Sequence, residues 1–508
     1  MLQNSCDKPN VIFVFVDDLG YGDISCNNPG SRVSTSNIDS LAHNGLRFTD
    51  MHSSSAVCSP SRYALLTGRY NWRSRLKKAV LPGTSPSLLE KDRETLGSLF
   101  QRNGYKTACV GKWHLGMDWQ THPGVKQSFK MFEKISDRDD YGLRYDLPIL
   151  DGPLKHGFDY FYGTAGSLDQ APYVIIENDL PKSVPTKVIG TDECDHRSPK
   201  CIQMCEKGPA AEDFDLEKII PHFDDKVLSL IDEYSAQDSP FFIYYPTLAV
   251  HGPILPTEEY KGKSEIGLYG DFILQLDGFI GRLEDKLKEC SLLENTIVIF
   301  ASDNGCSTIV DIPKLKSMGH SPSYIYRGNK SCIWDGGHRV PFIVNWPGHI
   351  APGVCDNLSC LTDMYATFAE LLGASYDAST AEDSFSNLCL WDGNHKEIHD
   401  YIIHHSVSGF FSIRNKEWKL EMCAGSGGNA FPRDMNKDEV AGLPPIQLYH
   451  ISEDPGETDN VYDKHPDIVN DMKKLLEKYI KAGRSTPGTN QKNAPCDNWP
   501  GLEWMEDF

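Results

Sequence analysis

The stretch NVIFVFVDDLGYG, Asn10–Gly22, decides the fold class. Its first seven residues are nearly all apolar and rich in β-branched side chains, the pattern of a central strand covered on both faces. The run ends in Asp17 and Asp18, where open α/β sheets place their ligands. An acidic pair after a strand also caps turns. A second buried-strand pattern, 296–301, ends in Asp303 and Asn304, which favours two strand ends meeting at one oxygen-rich site.

Further strand patterns lie at 105–110 and 241–245. The first runs into GKWHLG, 111–116, and the second into LAVHGP, 248–253, which carries His251. Flanking glycines let the backbone approach closely at 111–116, and from an extended segment Lys112 and His114 point the same way. Helical periodicity fills the intervals at 35–44, 88–103, 215–234 and 265–290. Strands alternating with helices define an α/β protein. In the last of these helices, Asp271 and Asp277 read as solvated or supporting residues. From about residue 373 the texture changes: short strand patterns at 401–405, 409–415, 418–422 and 447–449 alternate with polar turns, and 467–482 reads as one helix. This predicts a smaller C-terminal antiparallel sheet with a packed helix, and two domains, 1–372 and 373–508.

The 508 residues are 40% hydrophobic and 24% charged, which fits a globular protein with a large core. With 71 acidic and 50 basic residues the formal net charge is −21, which argues against a nucleic-acid partner. A small anionic group still fits a local basic pocket. No apolar run approaches the roughly 20 residues that span a bilayer, so no transmembrane segment is expected. Residues 1–9 are short and polar and show no secretory leader. Cys6 could be a lipoprotein anchor, although Gln3-Asn4-Ser5 is a poor remnant of the required signal. The 15 cysteines are odd in number and lack repeated C-x-x-C spacing. Cys194, Cys201 and Cys205 cluster in a polar loop read as a surface lobe, and some cysteines would pair in an oxidising compartment.

The chemistry is organised around VCSPSRYALLTGRYNWRSR, Val57–Arg75. The segment reads as a helix, with Pro60 tolerated in the first turn, Leu65 and Leu66 on a buried side, and Gly68 as the stop. Cys58 then sits at a helix N-terminus, which favours an anion, and Arg62 returns to the same face four residues on. This segment closely resembles the maturation sequence of the formylglycine-dependent sulfatase family, C-x-P-S-R followed by L-x-T-G-R. GKWHLG, the HGFD of 156–159, WDGGHRVP at 334–341, and Gln447 through Asn460 resemble further blocks of that family. Asp335 stands where the family often has Glu, a departure not expected to matter. The likeness covers nearly the whole chain, and within the alkaline phosphatase superfamily it is to the arylsulfatase and N-acetylgalactosamine-6-sulfatase branch.

The resemblance implies a large central mixed β-sheet flanked by helices and hydrolysis of a sulfate monoester. Cys58 would be oxidised to formylglycine by a formylglycine-generating or anaerobic sulfatase-maturating enzyme, and its hydrate would attack sulfur. Asp17, Asp18, Asp303 and Asn304, with the residue at 58, would hold a metal; oxygen ligands suit Ca²⁺ or Mg²⁺, and the family favours Ca²⁺. Lys112 and Lys330 would bind sulfate oxygens, Arg62 would hold the diol, and His251 would protonate the leaving oxygen. Asp303 would take the proton of the attacking hydroxyl, and His114 that of the second hydroxyl as sulfate leaves.

The expected substrate is a sulfated mono- or oligosaccharide, with an O-sulfate on galactose or N-acetylgalactosamine. Asp169, His320 and Arg327 are the candidate sugar contacts. Such a substrate fits a periplasmic or secreted enzyme whose leader is absent from this sequence. Two rival readings are a phosphate or phosphonate ester hydrolase on the same scaffold, and a catalytically silent carbohydrate-binding protein.

Overall fold

In the computed structural model the described residues are 8–131, 133, 135–195, 197–394, 396–496, 499 and 501–505. Cys6 lies outside them. The strand Asn10–Val16 is wholly buried. It pairs in parallel with Phe241–Pro246 on one side and Thr296–Ser302 on the other. The first neighbour pairs in parallel with Lys106–Lys112, which pairs in parallel with Tyr160–Thr164. Beyond Thr296–Ser302 the sheet turns antiparallel at Phe342–Asn345, so the ten-stranded sheet is mixed. Strands buried on both faces need no polar alternation, which is why their sequences read as continuous apolar runs.

Helices cover both faces. Ile219–Ser235 and Leu268–Glu289 are longer helices whose buried residues recur at three and four. The helix expected over 88–103 is confined to Leu96–Arg102, because Thr95 caps it: its side chain accepts from Ser98 N while Ser98 Oγ accepts from Thr95 N. Leu88 and Leu89 are buried nonetheless, which explains the misleading periodicity. Asp271 and Asp277 are buried rather than solvated. Asp271 accepts from the amides of Gly262 and Ser264, and Asp277 from those of Asn37 and Ile38, so each fixes a loop or helix start.

The C-terminal sheet is antiparallel, in the order Ile402–His405, Phe411–Arg414, Trp418–Glu421, Gln447–His450. Helix Pro466–Ala482 packs Met472, Leu476 and Ile480 against it in a second apolar cluster that also takes in Tyr70 and Trp72. The two sheets are joined by a buried ionic network. Lys419 Nζ lies 2.9 Å from Asp335 Oδ1 and 2.6 Å from Glu457 Oε1, and Arg414 Nη1 lies 2.7 Å from Asp335 Oδ2. Asp335 is therefore a hub of the inter-sheet contact. Cys201 and Cys205 are free thiols, as is Cys58. No helix among the described residues is long and apolar enough to cross a membrane.

Candidate active site

Parallel register brings the strand ends together: Val16 pairs with Ser302, and Asp303 N donates to Val16 O at 3.0 Å. Asp17, Asp18, Asp303 and Asn304 therefore meet at one edge of the sheet, all buried. Asp18 turns the chain there with φ of 61°, a left-handed conformation that Asp tolerates better than most residues. Lys106–Lys112, two strands along the sheet, delivers Lys112, whose Nζ lies 2.6 Å from Asp17 Oδ2. Gly111, at φ 118°, permits that approach; a Cβ there would meet Pro246 O at 2.2 Å.

Helix Cys58–Thr67 is buried along its whole length, not on one side only, and ends at Gly68 with φ 63°. Cys58 is its first residue and Sγ lies 3.4 Å from Asp17 Oδ1. Burial, then the Asp17 carboxylate, push its thiol well above the ordinary cysteine range. As a cysteine it is thus protonated and a poor nucleophile. Arg62, one turn on, lies 2.7 Å from Asp303 Oδ2 and 3.5 Å from Asp17 Oδ1. Lys330 Nζ lies 2.7 Å from Asp18 Oδ2. Burial opposes its charge, but Asp18 and its neighbours outweigh burial and raise its pKa.

His251 Nδ1 lies 2.6 Å from Gly252 O and Nε2 3.5 Å from Asp18 Oδ2. A carbonyl only accepts, so Nδ1 carries the proton there and Nε2 faces the acids. His114 Nε2 lies 2.8 Å from Leu81 O, which by the same argument leaves Nδ1 with the lone pair; Nδ1 is buried without a partner. Burial first, then Lys112 and Arg62, hold its pKa well down, so the ring is neutral.

The oxygen set fits a hard divalent cation. Burial and then the Asp17 charge push the Asp303 carboxyl up to about 7, the mark of crowded carboxylates, and Asn304 Oδ1 is buried without a hydrogen-bond partner. Asp17, Asp18, Cys58 and His251 offer ligand atoms all within 4.8 Å of one another. Asp17, Asp18, Asp303 and Asn304 are the hard oxygen donors at the centre.

Above them opens a cavity of about 620 Å³, lined by Cys58, His114, His251 and Lys330. Asp169 is on its wall, with Oδ1 3.8 Å from His251 Nδ1. Ser167 Oγ, also on the wall, is buried without a partner. The other two candidate sugar contacts lie elsewhere. His320 is wholly buried with Nε2 2.8 Å from Asp23 Oδ1, and Arg327 donates to Glu457 O at 2.7 Å while covering the Trp334 ring. Neither lines the cavity. Unforeseen wall residues are Asp192 and Glu193, then Cys194, Asp195 and Arg197 of the stretch that reads in sequence as a surface lobe, and Val407 and Asn429 of the C-terminal region. No local pattern marks them, because they reach the site only through the packing of distant segments.

Fold and site together define a hydrolase of the alkaline-phosphatase-like superfamily. The chain belongs to the sulfatase family, whose profile matches residues 9–374, and it is an enzyme acting on sulfate esters. The profile described as N-sulphoglucosamine sulphohydrolase, C-terminal, matches residues 327–482. The N-acetylgalactosamine-6-O-sulfatase of Bacteroides thetaiotaomicron is 32% identical, over 94% of this chain and 93% of that protein. Human arylsulfatase A is 30% identical, over 92% of this chain and 87% of its own length. A structure solved in work on glycosaminoglycan metabolism by B. thetaiotaomicron superposes with a TM-score of 0.79 at 30% identity, covering 93% of this chain and 99% of that one.

Proposed function

We propose that the protein removes an O-sulfate from galactose or N-acetylgalactosamine in a short glycan, with residue 58 acting as formylglycine. The observation that carries this reading is the convergence of Cys58, Lys330, His114 and His251 on one cavity, with Lys112 buried beneath it against Asp17. The protonated state of the Cys58 thiol supports a role after oxidation rather than as a thiolate. Hydrated formylglycine supplies two hydroxyls on one carbon, one to bond to sulfur and one to expel sulfate. Asp17, Asp18, Asp303 and Asn304 would hold a Ca²⁺, which would supply positive charge to the reacting group.

The chain's own residues do the rest. Lys112 and Lys330 place two ammonium groups where a sulfate would sit, and rigid cations are worth most in such a buried site. Arg62, pinned by Asp303 and Asp17, fixes the nucleophile's surroundings. His251 presents Nε2 to the leaving oxygen and serves as its proton donor. His114, neutral with its Nδ1 lone pair free, accepts a proton from residue 58. Asp169 and Ser167 offer polar atoms to sugar hydroxyls from the wall.

The galactose-type preference rests on the likeness to the N-acetylgalactosamine-6-O-sulfatase, which also points to the 6-position. Maturation requires a formylglycine-generating or anaerobic maturating enzyme as partner, and a glycan substrate supports a periplasmic or secreted location. Protein coexpressed with such an enzyme, and shown by mass spectrometry to carry formylglycine, should release sulfate from one position in a panel of 2-, 3-, 4- and 6-O-sulfated sugars. Cleavage only of matched glucose-type sugars would overturn the substrate assignment.

A further inference from the structure

Beyond Asp17 and Asp18 the same loop carries a third aspartate, Asp23, which is wholly buried and accepts three hydrogen bonds. Its Oδ2 takes the amide of Gly20 at 2.7 Å and the hydroxyl of Tyr269 at 2.6 Å, and its Oδ1 lies 2.8 Å from His320 Nε2. His320 Nδ1 accepts the Arg32 amide at 3.2 Å, so the ring proton is on Nε2 and the histidine donates to Asp23. The donors come from three places: the loop after Asp17 and Asp18, the helix Leu268–Glu289, and the segment that leads to Lys330. Tyr269 Oη also lies 3.3 Å from Cys306 Sγ, and Cys306 O accepts from Lys330 N at 2.9 Å. Cys306 follows Asp303 and Asn304 in the chain. Asp23 thus stands where both oxygen-bearing strand ends and Lys330 are tied together. Asp23, Tyr269, Cys306 and His320 are all buried behind the cavity rather than on its wall.

Resting on the cation site proposed above, we propose that Asp23 is the positioning residue of that site. It holds the Asp17–Asp23 loop in the shape that presents Asp17 and Asp18, and so sets how tightly the cation binds. The loop needs holding. Asp18 keeps φ of 61°, a backbone position that persists for a residue with a side chain where the surroundings impose it. The carboxylates of Asp17, Asp18 and Asp303 crowd one another, and a loop free to move would splay them apart. Asp23 closes the turn just behind them: Gly20 N donates to its carboxylate, and its own amide donates to Gly20 O at 3.2 Å. Gly20 and Gly22 lie against the backbone of Ser321 and Pro322 so closely that a Cβ on either would overlap a carbonyl oxygen there. His320, next in the chain to that backbone, anchors it to the same carboxylate. A ligand set ordered before the ion arrives binds it more tightly, because the ordering is not charged to the binding step. Partners that orient metal ligands are typically worth about 10–100-fold in affinity. Asp23 acts on two ligands at once, through the backbone that carries them.

The test uses the matured full-length enzyme, stripped of metal by a chelator and titrated with Ca²⁺ in a calorimeter and with Tb³⁺ followed by its luminescence. Asp23→Asn should raise the Ca²⁺ dissociation constant about 10–100-fold. Tyr269→Phe and His320→Leu, which each remove one donor, should raise it less, and His320→Gln, which keeps a donor, should fall between His320→Leu and the wild type. Saturating Ca²⁺ should restore most of kcat in each variant, because occupancy of the site is what is lost. Asp277→Asn releases a different buried carboxylate of the same helix from the amides of Asn37 and Ile38. It should lower the melting temperature and leave the Ca²⁺ constant where it was. An Asp23→Asn enzyme with the wild-type Ca²⁺ constant, or an Asp277→Asn enzyme shifted as far, would overturn the role of Asp23. If Asp23→Asn does not fold, Tyr269→Phe makes the same comparison, and an unchanged constant there overturns the role equally. A wild-type enzyme that takes up neither Ca²⁺ nor Tb³⁺ would instead defeat the cation site itself, and the role of Asp23 with it.

Discussion

Arg62 Nη2 lies 2.7 Å from Asp303 Oδ2, and both side chains are fully buried. The guanidinium also reaches Asp17 at 3.5 Å and donates to Lys112 O at 3.3 Å, so one residue ties the helix of Cys58 to three strand ends. Truncating one partner of a buried pair strands the other charge, at a cost of about 3–5 kcal/mol. Arg62→Met should lose that much in urea unfolding of the metal-free protein. A loss below about 1 kcal/mol would show that the pair adds little to stability.

His251 acts on the leaving group in the proposed mechanism, so the effect of removing it should depend on that group. His251→Gln should slow release from a sugar sulfate by about 10²–10⁴-fold, the usual worth of a general acid. Hydrolysis of a nitrophenyl sulfate, whose leaving oxygen needs no proton, should fall much less. Equal losses on both substrates would remove His251 from that role.

A cation held in the proposed site would relieve the carboxylate crowding at Asp17, Asp18 and Asp303. Chelation should therefore lower both activity and thermal stability, and added Ca²⁺ should restore them. At a hundredfold excess over its dissociation constant, a ligand bound only to the native state adds about 2.7 kcal/mol. Mg²⁺ should restore less. An enzyme that keeps full activity with no divalent ion detectable by elemental analysis would contradict the site.

Acid should unfold the protein through buried histidines. Burial first, then Arg414, hold His52 down to about 4, and burial holds His405 down to about 3. Unfolded histidine binds its proton near 6.5, so between that pH and the folded values the unfolded state carries the extra protons. Stability is intact above about pH 6.5 and falls on acidification, by about 1.4 kcal/mol per pH unit for each such histidine. Asp224, pushed up to about 7 by burial, works in the opposite direction and offsets about one of them. His405→Gln should flatten the pH dependence of urea unfolding between pH 4 and 6 by about one proton. An unchanged slope would show that His405 is not the responsible group.

Lys419 belongs to the network that holds the C-terminal sheet to the main one. It contacts Asp335, Glu457 and Glu421 from a fully buried position. Lys419→Met should destabilise by about 3–5 kcal/mol. The loss should appear as earlier exposure of the Trp418–Glu421 strand in hydrogen exchange. Global unfolding with no such local signature would place the network's role elsewhere.

Much of this was legible in the chain itself. Buried parallel strands announce themselves as apolar runs, because two covered faces leave no polar register to maintain, and Asn10–Val16 and Thr296–Ser302 are wholly buried accordingly. Cys58, Lys112 and His251, which carry the proposed chemistry, lie in short contiguous motifs, so local order is enough to single them out. Helix ends were less legible: over 88–103 buried Leu88 and Leu89 extended an apolar period that a single Thr95 cap cut short.

What the sequence by itself determined is the α/β class, the residues at the strand ends and the family's chemistry, all written in local patterns. Only the tertiary structure decided that His320 and Arg327 serve Asp23 and Glu457 rather than the cavity. It also decided that Cys194, Asp195 and Arg197 line the cavity rather than a detached lobe, and that Asp335 anchors one sheet to the other. Those outcomes depend on which distant side chain satisfies a buried charge or fills a wall, and pairings across hundreds of residues leave no periodic trace along the chain.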